Sequence, residues 1–243
     1  MARGPDYQPE FHAEPRISAN ELARFMLAGN TGKLGIIKRA REKGNAAGVR
    51  YSDARDAIKL ALCDPAGEIR HLNDAANRFR QKEKDTALSA FMRADAEKSI
   101  DVLNALSLMR NQYAGTDFQA APLRQPKLIL SGVQVSVSCD VLIHSSHKGE
   151  DQIGGALLRL GIPEEDPTET AKRKREDMGA YAATLVFLHV QRNLASGRKA
   201  SPGLCWSIDV QCRDIHLAPP RNAARVNELE AACTMIAALW GKV

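Results

Sequence analysis

The residues of this 243-residue chain whose types could do chemistry gather in its second half. Val133, Val135 and Val137 alternate with Gln134, Ser136 and Ser138, the period of a strand with one buried face, and the stretch runs out on Asp140. A carboxylate there has two uses open to it: it caps a turn by accepting backbone N–H bonds, or it helps to hold a divalent cation. Glu150 and Asp151 are the next carboxylates, either as a solvated loop or as metal ligands, and Arg159 is the only basic residue of the apolar run 153–160. Lys172, Arg173, Lys174 and Arg175 are consecutive on a helical stretch, and Lys38 and Arg39 lie on another. Consecutive cations point all round a helix, so some can pair with local acids while others reach phosphates.

Other chemistries find less support. His144 and His147 flank a Ser-Ser pair near Cys139, without the second ligand pair that zinc requires, and His189 falls on an apolar helical face as a core histidine would. No GxSxG elbow, GxGxxG turn or GxxxxGK[ST] loop is present, which removes the usual signals for a nucleophilic serine or a phosphate-binding loop. The five cysteines are widely spaced and contain no CxxC, so a disulfide framework is not expected.

These residues need elements to position them. A polar arm covers 1–16, and Ser18 with Glu21 forms a capping box for a helix carrying Leu22, Phe25 and Met26. Lys33–Lys43 makes a second helix, Ser52 caps a third, 66–82 is weakly amphipathic, and 85–111 reads as one long core helix. The segment 114–125 is expected as the linker between this helical part, 17–113, and a sheet-containing part, 126–243, within one integrated domain. A meander of two or three antiparallel strands fills 128–143, and a further strand, 153–160, follows a polar loop. Thr168 caps a helix running to about Leu194, a basic turn covers 197–203, residues 204–210 pair with 215–218 as a hairpin, and a closing helix spans 222–239. The fold class is α+β or α/β: helices packed on a small mixed sheet, then helix, hairpin and helix.

The composition, 44% hydrophobic and 26% charged, belongs to an ordinary globular protein, and the net charge of +5 permits a polyanionic partner. No apolar run suits a membrane span and the N-terminus lacks the apolar stretch of a secretory signal, so no membrane partner and a cytoplasmic location are expected.

This order of elements resembles the RecB-like branch of the PD-(D/E)XK nuclease superfamily. The opening ISANELARFMLAG is similar to the first helix of such nucleases, the stretch ending in Asp140 looks like their Asp strand, and Tyr181 sits where their helical tyrosine belongs. The resemblance implies that Asp140 with Glu150 or Asp151 holds Mg2+ or Mn2+, that Arg159 stands in for the catalytic lysine, and that Tyr181 borders the site. The strand expected to carry D/E-x-K has neither an acid nor a lysine, which breaks the motif. The implied function is therefore that of a bacterial cytoplasmic protein acting on nucleic acid, either a weak metal-dependent nuclease or an inactive relative that binds DNA or RNA. The alternative is a non-enzymatic module that binds a protein partner.

Overall fold

The computed structural model describes residues 10–43, 50–161 and 168–243. Eight helices and eight strands occur among them, the strands forming two mixed sheets. The class is mixed α and β, as the sequence implies.

Local signals account for most of the helices. In α1 (Ala19–Leu27) the Ser18 hydroxyl accepts from the Glu21 N–H at 3.2 Å, the expected cap, and Leu22 and Phe25 are buried. Helix α2 (Asn30–Arg41) follows directly. In α3 (Ser52–Cys63) the expected Ser52 cap is displaced: Ser52 is the first helical residue, and Tyr51, in a left-handed conformation, precedes it with its N–H on Asp95. After α4 (Glu68–Lys84), the single long helix expected over 85–111 is divided. Asp85 caps a turn through Ala87, and Ser89 caps α5 (Ala90–Leu108), which gives way to the short α6 (Arg110–Tyr113).

Strand pairing departs further from expectation. β1 (Arg16–Ser18) pairs in parallel with β4 (Val133–Ser136), which pairs antiparallel with β3 (Leu128–Leu130), giving a separate three-stranded sheet. The expected linker 114–125 supplies β2 (Asp117–Ala120), an edge strand of the second sheet. β5 (Val141–His147) and β6 (Glu150–Arg159) form one long hairpin, turned by Lys148 and Gly149, both at positive φ. The polar loop expected between them is therefore mostly strand. β6 pairs in parallel with β7 (Lys199–Asp209), and β7 in antiparallel with β8 (Asp214–Leu217), so the order is β2-β5-β6-β7-β8. The expected turn at 197–203 is partly the start of β7.

The connection from β6 to β7 is α7 (Glu169–His189), capped by Thr168 and extended by one π-helical turn, Val190–Leu194. It packs on one face of the five-stranded sheet with α1 and α8 (Ala223–Leu239), around Leu22, Phe25, Leu157, Leu185, Cys205 and Ile236. On the opposite face α3, α4 and α5 enclose Ile58, Leu106, Met109, Ile143, Leu158 and Ile208. β6 is thus covered on both sides, which explains its near-continuous apolar run. Of the expected arm, residues 1–9 lie outside the described residues, and the following stretch is tied to α2 by Lys43 N–H on Glu10 and His12 N–H on Arg41.

Two contacts seat α7. Gly179 faces His216 of β8 so closely that an added Cβ would overlap the imidazole. Gly179→Ala is therefore expected to lower stability by about 1–3 kcal/mol, the usual cost of overpacking, despite alanine's better helix propensity; a urea midpoint equal to or above wild type would reject this packing. At the other end His189 is fully buried, with Nε2 3.0 Å from Gln125 Oε1 and Nδ1 3.0 Å from Asn193 Nδ2. Since the Asn193 amide donates to Nδ1, Nε2 carries the proton and donates to Gln125. Burial, aided by Lys127, pulls the His189 pKa from 6.5 to about 4. The folded protein therefore resists a proton that the unfolded chain accepts, so stability is expected to be full above pH 6.5 and to fall as pH drops from 6.5 toward 4. Denaturation midpoints across that window should show a one-proton slope that His189→Gln reduces.

No helix among the described residues is long and apolar enough to cross a membrane. All five cysteines are free.

Candidate functional site

Asp140 follows the β4 region and folds over β6, where its N–H bonds Ala156 at 2.8 Å. Its carboxylate is buried and one oxygen, Oδ2, accepts from both the Leu158 N–H and Arg55 Nη1, each at 2.7 Å. Arg55, on α3, also donates to the Leu158 carbonyl at 3.1 Å. Asp140 is thus neutralised by a guanidinium and clamps β6 to α3. The residues of β6 that share its face are Ala156 and Leu158, neither of them ionisable.

The other residues expected beside it lie elsewhere. Glu150 and Asp151 begin β6, six residues and roughly 20 Å of strand from Ala156. Glu150 pairs with Lys199 at 2.8 Å. The expected Mg2+ or Mn2+ centre of Asp140 with Glu150 or Asp151 therefore does not assemble, because the hairpin puts its ligands at opposite ends. Arg159 lies on the α7 face, since alternation along β6 sends Leu158 and Leu160 into one core and Leu157 into the other. Tyr181 turns to α8, where its hydroxyl donates to Glu228 and Arg225 stacks on the ring at 5.5 Å. Burial, then the Glu228 bond, pushes its pKa up to about 12, so the phenol stays protonated. No group of three or more His, Cys, Asp or Glu side chains is placed to hold a metal among the described residues.

A different set of groups does converge. Arg159 and Asp209 are cross-strand partners at the carboxyl ends of the parallel strands β6 and β7. Arg159 Nη2 lies 3.2 Å from Asp209 Oδ2, and both side chains are almost fully buried. From α7, Arg175 grips the same carboxylate with two bonds, Nε to Oδ2 at 2.6 Å and Nη2 to Oδ1 at 2.8 Å. Burial lowers the Arg159 pKa, with Asp209 opposing it.

Above this ion triad opens a cleft of about 780 Å³ between α1, the first half of α7 and the β7–β8 turn. Among the described residues, five cations line it, Arg24, Lys172, Lys174, Arg175 and Arg213, with three acids, Glu176, Asp209 and Asp214. Cys212 is also there, its thiol pushed up by burial and by Asp209, which keeps it protonated. The cleft sits where ligands of open α/β sheets commonly bind, outside the carboxyl ends of parallel strands and beside a helix N-terminus. Glu21 bonds both Arg24, at 2.9 Å, and Arg39, at 3.4 Å. Glu21 thus joins Arg39 of α2 to Arg24 at the cleft, Lys38 and Arg173 are exposed on α2 and α7, and Lys172 pairs with Glu169 at 2.7 Å.

Of the expected basic residues, then, Lys172, Lys174 and Arg175 line the cleft and Arg39 is joined to it through Glu21. Arg24, Asp209 and Arg213 were not anticipated from the sequence, although an acid in the apolar strand segment CWSIDV marks Asp209 as unusual. Arg55 carries no such signal, because its partner lies 85 positions away.

No protein-family model matches this chain, and no curated protein matches it.

Proposed function

We propose that this chain binds nucleic acid without cutting it, on a RecB-like PD-(D/E)XK architecture whose catalytic ensemble is not assembled. The observation that carries the reading is the set of cations at the cleft, Arg24, Lys172, Lys174 and Arg213, with Arg39 joined to Arg24 through Glu21 and with Lys38 and Arg173 exposed on the same two helices, α2 and α7. A cluster of that extent suits a repeating polyanion, whose successive phosphates each take one cation and release a counterion. Binding is favoured over cleavage because the Asp140 carboxylate already answers Arg55 and the Leu158 N–H, and its neighbours on β6 are Ala156 and Leu158.

The test combines binding and cleavage with labelled single- and double-stranded DNA and RNA. Affinity is expected to fall on the order of a hundredfold between 50 and 200 mM salt, as about four phosphate contacts require. Lys174→Ala should flatten the logarithmic salt slope by about one. Neither the wild type nor Asp140→Ala should cut when magnesium or manganese is added. Salt-independent binding, or none, would reject the reading, and cleavage that Asp140→Ala abolishes would replace it with a metal-dependent nuclease.

A further inference from the structure

We infer that the cleft takes an unpaired base, so that the nucleic acid this chain prefers is a single strand. The inference rests on the nucleic-acid reading above and names which form of the polymer the cleft selects.

Phosphates need cations but no recess, and the cleft is more than a set of cations. Its volume of about 780 Å³ falls in the range of small-molecule sites, and part of its wall is aliphatic. Leu27 and Ala28 at the end of α1 line it, as do Ala171 and Met178 on α7, and each is half-buried, so apolar surface remains uncovered there. Arg24, Lys172, Lys174 and Arg213 are exposed in the same lining. Hydrogen-bonding side chains complete it, Gln211 among them. Its Nε2 donates to the Leu160 carbonyl at 2.8 Å, which leaves the amide oxygen to accept from the amino group of a base. Apolar wall, polar groups and cations in one recess match a nucleotide unit, whose base has apolar faces and hydrogen-bonding edges and whose charge lies to one side.

A duplex does not present that unit. Its bases are stacked and paired inside, and moving one into the cleft costs the unstacking and unpairing of that base, which a single strand does not incur. Cations alone would rank the two forms the other way, because a duplex spaces its phosphates more densely and releases more counterions. A preference for the single strand is therefore the signature of base entry rather than of charge.

The test compares the affinity of the full chain, at one salt concentration, for a single-stranded oligonucleotide, for its duplex, and for a strand of abasic units with the same number of phosphates. The single strand is expected to bind at least about tenfold tighter than either of the others, as one sequestered base supplies. Ala171→Trp fills the cleft from a half-buried position on α7 and leaves every cation of the lining in place, so it should bring the single strand down to the affinity of the abasic strand. The abasic comparison uses the unaltered chain and decides the matter even if Ala171→Trp does not fold. Equal affinity for the base-carrying and abasic strands, or tighter binding of the duplex, would overturn this inference while leaving nucleic-acid binding intact. A single-strand preference that survives Ala171→Trp would also overturn it, by placing the bases elsewhere. Failure to bind any of the three would overturn the nucleic-acid reading itself.

Discussion

Asp209→Asn is expected to cost about 3–5 kcal/mol, enough to leave much of the protein unfolded under ordinary conditions. The carboxylate is inaccessible to solvent, Arg159 is 6% exposed and Arg175 is 23% exposed. Removing the charge leaves the buried Arg159 guanidinium without the carboxylate it faces, and an amide cannot accept on both sides from Arg175 as the carboxylate does. The ion triad is not itself the source of stability, because burying three charges costs nearly as much as their attraction returns. The double variant Arg159→Met with Asp209→Leu should therefore recover most of the loss, since Arg175 is exposed enough to turn toward water. Chemical denaturation of the single and double variants decides the matter. A single variant as stable as wild type, or a double variant no better than the single, would show that the triad is not coupled as its distances imply.

Asp140→Ala is expected to cost about 3 kcal/mol, for a reason that separates a structural aspartate from a metal ligand. Its removal orphans the buried Leu158 N–H and takes from Arg55, 34% exposed, the carboxylate it pairs with. The two losses together fall in the range for breaking a buried charged hydrogen bond. An aspartate kept for a cation would instead face other carboxylates, and deleting it would relieve repulsion. Asp140→Asn should be milder than Asp140→Ala, since an amide oxygen can still accept from Leu158. A melting temperature for Asp140→Ala at or above that of the wild type would restore the metal-ligand role.

The two predictions also show where the sequence is legible. The Ser18 and Thr168 caps, the apolar stripe of α1, the long α7 and the 204–218 hairpin are visible because each depends on residues two to four positions apart. The division at Asp85–Ser89 was hidden because apolar spacing continues across it, and only the caps reveal the break. β2 was hidden because an edge strand of four residues with one buried side chain has almost no pattern. Asp140, Arg159 and Tyr181 stood out by residue type, yet they face α3, α7 and α8 respectively.

By itself the sequence determined the helices, most of the strands and the presence of a basic run on α7, since local periodicity and capping chemistry are written in short windows. Only the tertiary structure decided which charge meets which. One residue of strand alternation sends Leu158 to the α3 face and Arg159 to the α7 face, and the parallel register of β6 and β7 sets Arg159 against Asp209, fifty positions later. Partner choice depends on register and on the crossover through α7, and both are settled by burying two cores at once on a single sheet. For that reason the acid expected to hold a metal became a clamp between β6 and α3, and the arginine expected to replace a lysine became the buried partner of Asp209.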